Sequence, residues 1–114
     1  MDIKLTMSKT KTEGFPAATL ALATILKAMG HPARIAILEF LSERQACLCG
    51  SIVDALPLSQ ATVSQHLAEL KLAGLIKGTI DGPRVCYCID AENWEKAKLM
   101  VENFFKASNC CGSC

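Results

Sequence analysis

The sequence predicts a mainly α-helical domain closed by one small β-hairpin. Three observations predict it. Apolar residues recur at helical spacing along most of the chain; two short strand-like runs flank Asp81-Gly82-Pro83; and 51% hydrophobic residues with only 5% aromatic and 20% charged describe an ordered, largely helical protein. At 114 residues the chain is one domain's worth, small enough for dimerisation to add to its core.

The elements follow in order. Pro16 suits the first turn of a helix that runs to about Met29 and is ended by Gly30. Ala17, Ala18, Leu20, Ala21, Leu22, Ala23, Ile25, Leu26 and Met29 place apolar side chains nearly all round it, so one buried face cannot hide it and a partner subunit is expected to cover the rest. His31-Pro32 starts a second helix with Ile35, Leu38 and Leu41 inward, fading at Ser42-Glu43-Arg44-Gln45. A short third helix before Pro57 carries Ile52, Val53 and Leu56 inward. Ser59 is the expected N-cap of a fourth helix whose stripe is Val63, Leu67 and Leu70 and which stops near Gly74. Leu75 to Ile80 and Val85 to Ile89 form the hairpin, with Asp and Gly supplying the turn and Pro83 blocking further pairing. Asp90 caps a last helix with the stripe Trp94, Ala97, Met100, Val101, Phe104 and Phe105. Residues 1–14 have no hydrophobic period and read as a flexible arm, 15–107 as the folded domain, and 108–114 as a cysteine-rich tail.

A formal net charge of +1 is too weak to argue for nucleic acid by bulk electrostatics, so any such claim rests on pattern. No stretch approaches the ~18 apolar residues of a membrane span, and the start lacks the apolar core of a signal peptide. A cytoplasmic protein with no membrane partner is expected. Seven cysteines are many for this length, and in that compartment they favour metal binding or redox sensing over structural disulfides. They fall into three clusters: Cys47-Leu-Cys49, Cys86-Tyr-Cys88 and the tail Cys110-Cys111-Gly-Ser-Cys114.

The face of the fourth helix opposite its stripe holds Gln60, Ala61, Ser64, Gln65 and Ala68, all small or amide and hydroxyl side chains. Gln pairs bidentately with adenine in the major groove, hydroxyls suit base edges or phosphates, and the helix N-terminus favours a phosphate. Taken alone, that face is an ordinary solvated surface. Its context changes the reading: a short helix, the turn Leu56-Pro57-Leu58, a second helix and a hairpin bearing Lys77 and Arg84 follow the order of a winged helix-turn-helix. The candidate DNA-binding residues are Ser59, Gln60, Ala61, Thr62, Ser64, Gln65, His66, Lys77 and Arg84. His66, beside the apolar stripe, reads as a core or phosphate-bonding histidine rather than a metal ligand.

Gly30-His31-Pro32-Ala-Arg34-Ile-Ala-Ile-Leu38, Cys47-Leu-Cys49, Ser59-Gln-Ala-Thr-Val-Ser64-Gln-His66-Leu67 with Gly74-Leu75-Ile76, and Val85-Cys-Tyr87 together resemble the ArsR/SmtB family of bacterial metalloregulators over roughly residues 16–105. The resemblance implies a non-enzymatic repressor, homodimeric through its first and last helices, that sits on operator DNA and leaves when an inducer binds. Arsenic-responsive members are similar in carrying Cys-x-Cys at the start of the third helix, often with another cysteine three residues on; that position is Ile52 here. Zinc-sensing members carry histidines in the last helix, and this one has none.

In an intact helix Cys47 and Cys49 would point about 200° apart. If Ser51 with Asp54 forms a capping box, the pair lies instead in an extended lead-in, where residues i and i+2 share a side and both chelate. The plainer alternative makes Cys49 a buried core residue. The tail supplies Cys110, Cys111 and Cys114, with Gly112 and Ser113 giving freedom to wrap a small ion. Soft thiolates select arsenite, antimonite, Cd or Pb over hard cations, so these five cysteines are the candidate inducer ligands. Cys86 and Cys88 share one face of a strand, and packing is their simplest explanation. Two rival readings stay open: a repressor switched by thiol oxidation or persulfidation, and a small thiol oxidoreductase or metal-handling protein with no DNA role.

Overall fold

In a computed structural model the structure describes residues 14–44, 47 and 51–107. Among the described residues five helices and one hairpin run in the order α1 (Ala17–Met29), α2 (Pro32–Arg44), α3 (Ser51–Ala55), α4 (Gln60–Leu72), β1 (Ile76–Asp81), β2 (Arg84–Ile89) and α5 (Ala91–Ala107). The expected arm apart from Gly14, the tail and Cys49 lie outside the described residues.

Pro16, with extended backbone, stands at the N-cap of α1, and its carbonyl accepts from the Leu20 N–H at 3.1 Å. Within the single chain α1 buries only Ile25 and Ala28, which leaves Phe15 and Leu26 about half exposed. α2 turns Ala33, Ile37, Leu38 and Leu41 inward. The expectation for Ile35 is corrected: it is 40% exposed, because it lies two residues, or about 200°, from fully buried Ile37. The core gathers Ile37 and Leu41 of α2, Ile52 of α3, Val63, Leu67 and Leu70 of α4, and Leu75 and Ile76 at the start of the hairpin.

α4 has a defined beginning and end. Ser59 Oγ accepts from the Thr62 N–H at 3.3 Å and donates to Thr62 Oγ1 at 3.0 Å. At the other end the Gly74 N–H donates to Lys71 O (2.9 Å) and the Leu75 N–H to Leu70 O (3.1 Å), the paired bonds of a Schellman motif. Gly74 makes this possible with φ +84°, and a Cβ there would stand 3.1 Å from Asn93 Nδ2. The same Asn93 nitrogen donates to Gly74 O at 3.1 Å and to Asp90 Oδ2 at 3.2 Å, while Asp90 Oδ1 caps α5 by accepting from the Asn93 N–H. The end of α4 is thus tied to the start of α5. Gly74→Ala is expected to lower the unfolding free energy by roughly 1–2 kcal/mol through the left-handed backbone alone, and more if Asn93 must move; a chemical denaturation midpoint equal to wild type would refute this.

The hairpin is antiparallel, running from Ile76 opposite Ile89 to Asp81 opposite Arg84. Only Gly82 and Pro83 make the turn, with Gly82 at φ +63° in the first loop position, where a two-residue hairpin favours glycine. Arg84 therefore belongs to the strand rather than to the turn.

Candidate nucleic-acid interface and cysteine site

The stripe of α4 is anchored in the core, with Val63 and Leu70 fully buried and Leu67 6% exposed. That orientation forces Gln60, Ala61, Ser64, Gln65 and Ala68 outward, and all five are exposed. Thr62 and His66 flank this face and are half-buried. Arg84 stands exposed beside the hairpin tip. Lys77 is also exposed but sits at the base of the hairpin, opposite Cys88, so the two basic residues that the sequence grouped are at opposite ends of the wing.

Arg34, which the sequence offered only as part of a motif, sets the position of α4. Its Nε donates to His66 Nδ1 at 3.0 Å and its Nη1 to the Ala28 carbonyl at 3.2 Å, so one α2 side chain joins α4 to the end of α1. His31 stacks at a tilt on His66, with ring centroids 4.4 Å apart, and its Nδ1 accepts the Ala33 N–H at 3.0 Å at the start of α2. Desolvation, then the neighbouring His31 and Arg34 charges, lower the His66 pKa below its ordinary 6.5, against a smaller opposing pull from Glu69. The geometry agrees: a protonated Nδ1 would turn a donor towards the Arg34 donor.

Because the folded-state pKa is depressed, the unfolded chain binds the His66 proton first as pH falls. Stability from this group is complete above pH 6.5 and declines as acidification carries the pH from there down through the folded-state pKa. The drop in melting temperature between pH 7.5 and 5.5 is expected to be smaller in His66→Gln than in wild type. Equal drops would remove His66 as the cause.

Cys47 precedes α3 and is non-helical, in keeping with a lead-in segment. Its partner is not the neighbour that sequence proximity suggested: Cys47 is joined to Cys88 on β2 by a disulfide, across a separation of 41 residues and with Cα atoms 4.3 Å apart. Cys86 is also disulfide-bonded. Both strand cysteines are buried, Cys86 at 4% and Cys88 at 7% exposure, on the opposite face of β2 from Tyr87. Cys47 is exposed, and the Cys47–Cys88 pair forms part of the wall of an open cleft of about 490 Å³ that also includes Leu41, Lys77, Trp94 and Glu95. Period-2 alternation placed Cys86 and Cys88 on one face; what sequence could not show is which segment that face meets. Among the described residues no ready-made group of three His, Cys, Asp or Glu side chains surrounds one point. Cys49, Cys110, Cys111 and Cys114 lie outside the described residues.

A capped helix packed on its partner helices, followed by a two-stranded wing, defines a winged helix-turn-helix fold. A helix-turn-helix domain model matches residues 29–79. An HTH-type transcriptional regulator of Methanocaldococcus jannaschii is 40% identical over 82 residues, covering 70% of this chain and 91% of the relative. The transcriptional repressor SmtB of Mycobacterium tuberculosis is 45% identical over 67 residues, 59% of this chain, which spans about half (49%) of that protein's length. A homologue of the cadmium resistance regulatory protein CadC from Staphylococcus aureus is 34% identical, covering 74% of this chain and 67% of its own. Among solved structures, an ArsR-like regulator from Rhodococcus superposes with a TM-score of 0.67 at 22% identity, covering 81% of this chain and 86% of its own. HlyU of Vibrio cholerae in its reduced form superposes at 0.61 and 26% identity, covering 90% and 98%. The chain belongs to the ArsR/SmtB family of helix-turn-helix transcriptional regulators, and its relatives are DNA-binding regulators rather than enzymes.

Proposed function

We propose that the protein is a cytoplasmic homodimeric repressor that holds operator DNA through α4 and the wing and releases it when its cysteines coordinate a thiophilic inducer. The observation that carries the DNA half is the outward face of α4, where Gln60, Ser64 and Gln65 are exposed on a helix whose other side is locked in the core. Ser59, Ala61, Thr62 and His66 complete the reading segment, and Arg84 and Lys77 serve the phosphate backbone. The second subunit packs on the apolar surface that one chain leaves open: Phe15 and Leu26 on the α1 side, and Leu99, Phe104 and Phe105, each at least 48% exposed, on α5.

The inducer half rests on thiol chemistry: Cys47 with Cys49, and the tail cysteines Cys110, Cys111 and Cys114, are soft donors suited to arsenite, antimonite, Cd or Pb. The cadmium resistance for which one relative is named supports a metal or metalloid class of inducer. A second reading, release by thiol oxidation, is favoured by one observation, the Cys47–Cys88 disulfide, and by the solved reduced form of HlyU, which marks redox state as a variable in a relative.

Fluorescence anisotropy of the reduced protein on its own upstream DNA, with and without stoichiometric arsenite and in parallel with an oxidant, tests both. Release by arsenite supports coordination, and release by oxidant alone supports the redox reading. Absence of DNA binding overturns the proposal. Gln65→Ala is expected to cost about 1–3 kcal/mol of discrimination at its base pair, whereas Arg84→Ala should weaken all sequences alike and lower the salt slope by about 1.

A further inference from the structure

We infer that Cys88 and Cys86 of the wing strand, together with Cys47, form the inducer site, so that a soft trigonal ion would be held between the lead-in of α3 and β2. The inference rests on the coordination reading of the protein's function and names ligands that the Cys-x-Cys pattern does not. Cys47 and Cys88 are brought within bonding distance with Cα atoms 4.3 Å apart, although 41 residues separate them in sequence. Cys86 lies on the same buried face of β2 as Cys88, about 7 Å along the strand, a span that two cysteine side chains converging on one ion can close. The cleft of about 490 Å³ opens the pair to solvent. Lys77, opposite Cys88 in the hairpin, lines the same cleft.

The ligands exist only after reduction. Each disulfide takes two electrons and two protons from two molecules of a low-molecular-weight thiol, which leave joined as their own disulfide. Arsenous acid, As(OH)₃, then condenses with the three thiols. Three As–S bonds replace three As–O bonds, each thiol proton leaves with a hydroxide, and three waters form. Arsenic stays in its trivalent state throughout. An ion held this way ties the first helix of the helix-turn-helix to the wing, a direct route from ligand to DNA contact.

The test uses the full-length reduced protein under anaerobic conditions, with arsenite as effector and Cd(II) as a spectroscopic probe of thiolate ligation. Wild type is compared with Cys88→Ser, Cys88→Ala, Cys86→Ser and a tail variant with Cys110, Cys111 and Cys114 all changed to Ser. The strand variants are expected to bind DNA normally without ligand, to need at least about tenfold more arsenite for release, and to lose most of the Cd–thiolate charge-transfer absorption; the tail variant, whose cysteines are also soft donors, should shift the arsenite requirement less than either strand variant does. If wild type is released by arsenite and the strand variants are released at the same concentration, the inference is overturned while the repressor reading stands. If arsenite does not release wild type, that reading fails, and the Cd(II) titration decides the site: absorption lost in Cys88→Ser supports it, absorption retained overturns it. Should a strand variant fail to bind DNA by itself, alkylation of wild type with and without arsenite, mapped by mass spectrometry, replaces it. Protection of Cys86 and Cys88 then supports the site, and equal labelling overturns it.

Discussion

Leu70→Ala is expected to destabilise the protein by about 2–5 kcal/mol and to lower its melting temperature by roughly 10 °C or more. Leu70 is fully buried in the core that also holds Ile37 and Leu41 of α2 and Leu75 and Ile76 of the hairpin, and its carbonyl also closes the Schellman motif that ends α4. The truncation leaves a void where three elements meet, and close-packed surroundings relax only in part. Gln65→Ala, five residues earlier on the exposed face of the same helix, should change stability by no more than about 0.5 kcal/mol while weakening DNA binding. Thermal melts at one fixed protein concentration, needed because dimerisation itself shifts the midpoint, separate the two. Similar melting temperatures for Leu70→Ala and wild type would mean that α4 is not seated as described.

The second large effect is chemical. The Cys47–Cys88 bond closes a loop across 41 residues, and the chain-entropy account of such a cross-link assigns it about 4 kcal/mol of stability. The oxidised protein should therefore melt well above the reduced protein. Cys88→Ser should remove the part of this difference that belongs to the bond, leaving what other disulfides, that of Cys86 among them, contribute. Thiol titration fixes the redox state of each sample before it is heated. A wild-type sample shown to be oxidised that melts with its reduced form would refute the cross-link as a stabilising element, and a Cys88→Ser variant with an undiminished difference would assign the effect to other cysteines.

Much of this architecture was legible in the amino acids because local chemistry and tertiary packing agree. Ser59, the Val63, Leu67 and Leu70 stripe and Gly74 mark the start, the inner face and the end of α4 without reference to anything distant, and the structure uses each of them so. The hairpin was legible for the same reason, its turn tightened to Gly82-Pro83 by pairing Asp81 with Arg84. Ile35 was misplaced because two apolar registers run along α2, and only the position of α4 selects the one containing Ile37. The cysteine pairing was legible by half. Strand parity put Cys86 and Cys88 on one side, but the meeting of Cys88 with Cys47 is a long-range contact that no local pattern encodes. Arg34 escaped for a like reason, since its partners His66 and Ala28 lie on other helices.

β2 carries two unrelated duties on alternate residues, with Cys86 and Cys88 turned inward and Val85 and Tyr87 to the other side. A strand repeats every two residues, so a single insertion or deletion between Arg84 and Cys88 would exchange the two faces wholesale. The sulfur atoms would then be presented on the side of Tyr87, and the tyrosine driven towards Cys47. The segment can therefore lengthen or shorten only in steps of two, and descendants of this gene should vary there by substitution far more readily than by length.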